Sequence, residues 1–497
     1  MKIYVNAEKT PLARDPMIYG HFIEHFHRQI YGGVYDPGNP LSDEAGLRKD
    51  VLKAMRDIRV PVLRWPGGCF VSAYHWKNGV GKERIPHYDK AWRVEDPNTF
   101  GTDEYVDLCR KIGCEPYICT NAGTGTAEEM SDWVEYCNLD HEGQYARQRI
   151  AGGHPEPYGV KYWSIGNENY GYWEIGAKSA QEWGRLTAEA AKMMRRTDPS
   201  VQLSAAALTD PVWNMNLLQN CGQYLKWISI HDYWDPIHET NDAADYEACM
   251  VYTKDIGKSV RKVRGLLEAL GLEKQISIAY DEWNLRQWYH PNIMELYQGL
   301  TKEEYLKPRD DNDINSSYTM ADAVFTACFL NMFNRNCDIV RMANFSPIVN
   351  TRGCIFTYPE GIVLRSTYYV FYLYVNYLGD LIPDSWTKEQ PSALLRGADG
   401  QEEELELLDV LVTAFTEGPG YAIAAVNKDP EKEQKLELHF DAAGPVHIYS
   451  LCGDSKDAYN DVDHTGASIE EWSPGSFSYG MSMTLKPHSV NVIQIGR

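Results

Sequence analysis

Between residues 17 and 370, short and nearly continuous apolar runs alternate with stretches whose apolar positions recur about every 3.6 residues. The runs fall at 17–22, 60–65, 116–120, 161–166, 201–206, 227–231, 276–280 and 338–343, eight in all. Strands that are apolar on both faces belong to parallel sheets. Between them, Leu47, Val51, Leu52, Met55 and Ile58 keep a helical period after a start at Ser42 and Asp43. Thr126 with Glu129, and Ser179 with Glu182, have the spacing of capping boxes that open helices. Eight strand-then-helix units predict an α/β fold, a (β/α)8 TIM barrel. A doubly wound open sheet is the alternative, and the absence of Gly-x-Gly-x-x-Gly after the first run weighs against it.

Past residue 375 the pattern changes. Runs at 405–412, 421–427, 435–440, 446–449 and 489–493 follow closely on one another, separated by turn residues. They predict an accessory antiparallel β-sandwich of jelly-roll type. The run 2–5 precedes the first barrel strand and is expected to join that sandwich. The predicted division is a catalytic barrel over 17–374 and a sandwich built from 1–16 plus 375–497.

Composition narrows the partners. Lys and Arg number 48 against 70 Asp and Glu, a net charge of −22. Such a surface repels phosphate backbones and anionic lipid, so no nucleic-acid or membrane partner is expected. No apolar run approaches the roughly 20 residues that span a bilayer. The first residues lack the apolar core of a signal peptide, and the 11 cysteines contain no Cys-x-x-Cys pair. Both point to a cytoplasmic protein with reduced thiols. The sequon Asn315-Ser316-Ser317 carries no weight there. The 33 Tyr and 14 Trp supply groups that stack on apolar faces while bonding hydroxyls, although most serve packing.

In a barrel of this kind the chemistry lies at the C-terminal ends of the strands. The first run ends in His21-Phe22-Ile23-Glu24-His25, the second in Arg64-Trp65-Pro66-Gly67-Gly68-Cys69, and the fourth in Gly166-Asn167-Glu168-Asn169. The sixth ends in His231-Asp232-Tyr233-Trp234, the seventh in Asp281-Glu282-Trp283-Asn284 and the eighth in Asn344-Phe345-Ser346-Pro347. Glu168 and Glu282 are the carboxyl pair that glycoside hydrolysis needs, one to donate a proton and one to attack or to activate water. A separation of about 5–5.5 Å gives retention, and about 6.5–9.5 Å gives inversion. The charge on one is expected to raise the pKa of the other, as an acid working near neutral pH requires. The alternative is that either carboxylate merely pairs with an arginine at the rim.

Residues 162–169 and 280–284 resemble the two catalytic segments of glycoside hydrolase family 51, the retaining α-L-arabinofuranosidases. Residues 18–25 and 63–70 are similar to that family's first two strand ends, and the similarity continues through 100–104 and 133–138. The resemblance implies that Glu168 is the acid/base and Glu282 the nucleophile, with Asn167 bonding the sugar 2-hydroxyl. It implies that Glu24, Arg64 and Cys69 line the furanose subsite, that Tyr233 positions the nucleophile, and that His231 helps fix its charge state. Blander roles stand beside these: Cys69 as a core thiol, His231 as a satisfied buried histidine, Arg64 as a structural partner of Glu24 or Glu282. Trp283 reads as a wall. The family implies a homo-oligomer, a hexamer, and neither a cofactor nor a metal. One position departs from its pattern: Pro347 stands where the arabinofuranosidases carry a Gln, three residues after the Asn that Asn344 matches. A reshaped rim there opens the site to β-D-galactofuranose, which shares the ring stereochemistry and adds an exocyclic carbon.

The expected activity is therefore retaining, exo-acting release of terminal α-L-arabinofuranosyl residues from short oligosaccharides. Alternatives are a β-D-galactofuranosidase, an endo-acting xylanase or glucanase, or a sugar-binding barrel without catalysis. His21-x-x-Glu24-His25 also fits the H-x-x-E-H signature of a zinc peptidase. That chemistry requires a helix, whereas on a strand the two histidines stand about 13 Å apart.

Overall fold

The computed structural model describes residues 1–240, 242–287, 289–291 and 298–497, the side chains of 238 and 239 excepted. Eight strands stand side by side in chain order: Gly20–Phe22, Val62–Trp65, Glu115–Thr120, Tyr162–Ile165, Gln202–Ala205, Trp227–Asp235, Ser277–Arg286 and Val340–Phe345. Each ladder is parallel. The last strand pairs with the first through Asn344 and Gly20, and single bridges Leu203–Leu225 and Ala206–Ser229 close the other seam. The result is a nearly closed (β/α)8 barrel.

Strand periodicity builds the bore in layers. Val62, Tyr117, Tyr162, Trp227, Ala279 and Met342 form one apolar cluster, distinct from the core that packs strands on helices. Two residues further along, the same faces carry Arg64, Cys119, Ser164, Ser229, Asp281 and Asn344, all buried. The interior thus turns polar as it rises towards the C-terminal rim, and the groups at the rim rest on a charged floor.

Three local expectations change. The 17–22 run is a 3-10 turn, Pro16–Tyr19, capped by Asp15, and only Gly20–Phe22 is strand. The first helix begins at Lys49 rather than near Ser42 and Asp43. Gly46 at φ 84° is incompatible with a helix there, and Asp43 instead accepts from the amides of Ala45 and Leu47 in a turn. Ser179 and Glu182 form the full capping box, but at Thr126 only half of it forms. Thr126 accepts from the Glu129 amide, while the Glu129 carboxylate pairs with His75, 2.9 Å away.

The C-terminal strands make two facing sheets. The larger runs in the order Leu12–Ala13, Leu381–Ile382, Leu408–Ala414, Tyr421–Asn427, Ser489–Ile495, Pro445–Gly453, Ala467–Ser476. The smaller runs Asp384–Lys388, Lys2–Asn6, Gln434–Leu438, Met481–Leu485. All pairs are antiparallel except that of Lys2–Asn6 with Gln434–Leu438. Ile423, Ala425, Ile493 and Ile495 face the smaller sheet, whereas Ala422, Ala424, Val426, Val490 and Val492 join the barrel's core. Covering on both faces explains why 421–427 lacks the alternation of a half-exposed strand. The helix Met320–Arg335, buried almost throughout, packs on both the barrel and this sheet. Arg335 and Asn331 on that helix bond Asp409 at 2.8 Å and fix the two units together.

Candidate active site

The chain leaves Tyr162–Ile165 through Gly166 at φ 69°, where a Cβ would meet Asn169 Oδ1 at 2.2 Å. Two residues on, Glu168 is itself left-handed, at φ 43°. A non-glycine residue there costs about 1–3 kcal/mol and persists where its surroundings hold it. Trp173 Nε1 donates to Glu168 Oε2 at 3.0 Å, and His231 Nδ1 lies 2.9 Å from Oε1.

Glu282 approaches from the seventh strand. A register shift after Ser229 brings His231 directly opposite it. Arg64 Nη1 donates to Glu282 Oε1 at 2.5 Å, and Tyr233 donates to Oε2 at 2.8 Å. One oxygen of Glu168, one of Glu282 and one ring nitrogen of His231 all lie within 4.8 Å of each other. The nearest oxygens of the two carboxyl groups therefore face one another across no more than 4.8 Å.

Beneath them, Arg64 Nη2 donates to Asn167 Oδ1 at 2.8 Å. Because arginine offers only donors, Asn167 must present its oxygen to Arg64. Its Nδ2 is left buried and without a partner, facing away from that contact. Asp281 lies within 3.6 Å of Arg64 Nε and 3.2 Å of His231 Nε2, and also accepts from Ser229 and from Tyr117. Gly67 and Gly68 let the backbone pass close: a Cβ at Gly67 would stand 2.4 Å from Glu24 Cγ, and one at Gly68 would stand 3.0 Å from Glu282 Oε1. Glu24 accepts from the Phe70 amide at 2.9 Å and from Trp92 Nε1 at 3.0 Å. Cys69 Sγ lies within 4.8 Å of a Glu168 oxygen. All eight site residues expected from sequence thus gather at one rim. Trp283 is a packing residue, stacked on Phe329.

The electrostatics differ from the expectation of two carboxylates repelling each other. Burial pushes the Glu168 carboxyl up, but the hydrogen bond and charge of His231 outweigh it and hold the pKa below the usual value. Burial disfavours charge on His231, yet the Glu282 charge and the bonds to Asp281 and Glu168 raise it to about 10. With carboxylates at both ring nitrogens, His231 is an imidazolium at neutral pH. Asp281, which burial would raise, is held low by Arg64 and His231. Glu24 goes the other way: burial, aided by the Glu282 charge, raises it well above the ordinary range.

Further groups complete the site that sequence reasoning did not single out. Trp173 and Glu174 share the loop of Glu168, and Glu174 accepts from Ser72 while burial and the Glu168 charge raise it to about 8. His290 Nε2 lies 3.3 Å from Cys69 Sγ. The only available clue was the position of Trp173 and Glu174 within six residues of Glu168. Pro347 is buried, and its neighbour Ser346 places Oγ 3.0 Å from the Tyr233 hydroxyl.

The zinc-peptidase motif gains no support. The His21 ring packs on Phe371, His25 Nδ1 bonds Asp96 at 2.7 Å, its Nε2 accepts from Trp65, and Glu24 is held elsewhere. Among the described residues, neither histidine belongs to a group able to hold a metal ion.

A barrel with two facing carboxylates at its strand ends is the framework of a glycoside hydrolase. Residues 54–250 match the α-L-arabinofuranosidase 1 domain, and residues 281–489 match the α-L-arabinofuranosidase C-terminal domain. The chain is 32% identical to α-L-arabinofuranosidase C of Emericella nidulans, over 91% of this chain and 90% of that one. It is 31% identical to the intracellular exo-α-(1→5)-L-arabinofuranosidase of Halalkalibacterium halodurans, over 87% and 86%. The arabinose complex of α-L-arabinofuranosidase from Thermotoga maritima superposes with a TM-score of 0.87, at 34% identity over 99% of each chain. The chain belongs to glycoside hydrolase family 51, the α-L-arabinofuranosidases.

Proposed function

We propose that this enzyme releases terminal α-L-arabinofuranosyl residues from oligosaccharides by double displacement, with Glu282 as nucleophile and Glu168 as acid/base. The observation that carries the reading is the pair of carboxyl oxygens of Glu168 and Glu282 within 4.8 Å of each other, the second held by Arg64. Arg64 and Tyr233 each hold one Glu282 oxygen, so the carboxylate is held in place and aimed. A Glu282 oxygen bonds to the anomeric carbon as the glycosidic C–O bond breaks and Glu168 protonates the departing oxygen. In the free enzyme that proton resides on His231, 2.9 Å from Glu168, and passes to Glu168 when substrate displaces solvent. Glu168, again ionised, then takes a proton from water, whose oxygen replaces Glu282 on the anomeric carbon with overall retention. The vacant Nδ2 of Asn167 suits the sugar 2-hydroxyl, a contact that strengthens as positive charge develops on the ring.

We assign residues 17–374 to the catalytic unit and 1–16 with 375–497 to the sandwich, supported by the pairing of Lys2–Asn6 with Asp384–Lys388. Short internalised oligosaccharides are the proposed substrates, supported by the intracellular Halalkalibacterium relative. Among the described residues no helix is long and apolar enough to cross a membrane. The homo-hexamer remains an inference from family likeness, checked by sedimentation mass.

Two measurements test the reading. Glu168→Ala should lose hydrolysis, and azide should restore turnover on a nitrophenyl α-L-arabinofuranoside, giving the α-azide. A β-azide, or no rescue, refutes the assignment. Among nitrophenyl α-L-arabinofuranoside, β-D-galactofuranoside and β-D-xylopyranoside, the first should turn over fastest; faster turnover of another overturns the sugar preference.

A further inference from the structure

We propose that Cys69, Glu174 and His290, beside Glu168, form a binding site for a single thiophilic divalent cation of the Zn2+ class, whose occupation switches the enzyme off. Cys69 Sγ and one carboxyl oxygen each of Glu174 and Glu168 lie within 4.8 Å of one another. His290 Nε2 lies 3.3 Å from the sulfur but outside that 4.8 Å group, so it reaches a shared ion only by turning towards the carboxylates. In a tetrahedral zinc site, sulfur and nitrogen ligands bound at about 2.3 and 2.0 Å stand about 3.5 Å apart, so this pair is already at ligand spacing.

A second observation points to a ligand. Glu174 is only 4% exposed, and while Oε1 accepts from Ser72, Oε2 is buried with no hydrogen-bond partner. Its nearest polar neighbour is the Cys69 thiol, a weak donor, so the buried carboxyl is poorly satisfied, and a cation bound between the two removes that cost. The donor set selects the ion. Sulfur and nitrogen favour Zn2+ or Cd2+, whereas Mg2+ and Ca2+ require several oxygen ligands. Binding releases the Cys69 thiol proton and, below about pH 8, the Glu174 carboxyl proton to solvent in exchange for the metal–sulfur and metal–oxygen bonds. No step of the hydrolysis uses the ion. Its effect on turnover rests on the acid/base role proposed above for Glu168, because as fourth ligand Glu168 can no longer deliver a proton.

The test titrates the intact enzyme with Zn2+ by calorimetry and, in parallel, follows inhibition of arabinofuranoside hydrolysis. One Zn2+ per chain should bind, arabinose should compete with it, and an equal concentration of Mg2+ should not. Glu174→Gln, His290→Gln and Cys69→Ser should each weaken binding about tenfold or more. Cd2+ on the unaltered enzyme should give a thiolate-to-metal ultraviolet band that EDTA removes, a readout that needs no variant to fold. Zn2+ affinity unchanged in folded variants, equal inhibition by Mg2+, or no Cd2+ band overturns the site. The two readings fail separately. Zinc binding by an enzyme inert towards arabinofuranosides would sink only the proposed function, and full activity without a zinc site would sink only this inference.

Discussion

Arg64→Lys keeps the buried positive charge and removes the fork, which isolates geometry from electrostatics. The guanidinium is fully buried and serves two acceptors at once, Glu282 Oε1 at 2.5 Å and Asn167 Oδ1 at 2.8 Å, with Asp281 at 3.6 Å from its third nitrogen. A lysine ammonium on a single stem cannot stand in both places, so one charge-assisted bond goes. Such a bond is worth about 1.5–3 kcal/mol, or roughly a 10- to 150-fold loss in kcat/KM where it acts in the transition state. A neutral replacement would confound the measurement, since uncovering a buried carboxylate costs about 3–5 kcal/mol of stability. The loss should appear in kcat more than in KM, because Asn167 contributes most when charge develops on the sugar ring. The assay is steady-state kinetics on a nitrophenyl α-L-arabinofuranoside, with Asn167→Ala and the double variant completing a cycle. If Arg64 orients Asn167, the double variant loses much less than the two singles combined. Strict additivity, or kcat/KM within about threefold of the parent for Arg64→Lys alone, refutes the argument that the fork sets the site.

Tyr233→Phe deletes one 2.8 Å bond to the Glu282 carboxylate, and kcat should fall by roughly 10- to 150-fold with the thermal midpoint barely moved. His231 carries a raised pKa of about 10, so its stabilising charge is complete below the unfolded value of 6.5 and disappears as pH rises through about 10. At about 1.36 kcal/mol per pH unit, the parent should lose roughly 5 kcal/mol between those limits relative to His231→Gln. Paired urea titrations across that window check this, and parallel curves would refute it. Gly67→Ala forces a Cβ to within 2.4 Å of Glu24 Cγ at φ 153°. That overpacking should cost about 1–3 kcal/mol, read as a drop in thermal midpoint together with weaker arabinose binding.

The sequence disclosed most where one residue decides both fold and chemistry. Strand alternation carries Val62 to Arg64 and Ala279 to Asp281 on one inward face, so the runs that revealed the barrel also aimed their polar ends at a common point. What stayed hidden depends on contacts between distant segments. Glu174 and Trp173 sit in a loop without periodicity, and only the fold shows that they turn back onto Glu168. His290 follows the seventh strand, 221 residues from the thiol it approaches. The protonation pattern is hidden from the sequence for the same reason. Two acidic residues at strand ends suggest mutual repulsion when considered as a pair, and repulsion raises a pKa. The folded site inserts two cations between them, Arg64 under Glu282 and His231 between Glu168 and Asp281, the latter placed by a strand irregularity that no periodicity encodes. The acid of this enzyme is therefore best regarded as a shared proton on the Glu168–His231 pair. Its availability at neutral pH depends on His231 being flanked by carboxylates on both sides, so removing the charge of the fully buried Asp281, 3.2 Å from His231 Nε2, should impair proton delivery.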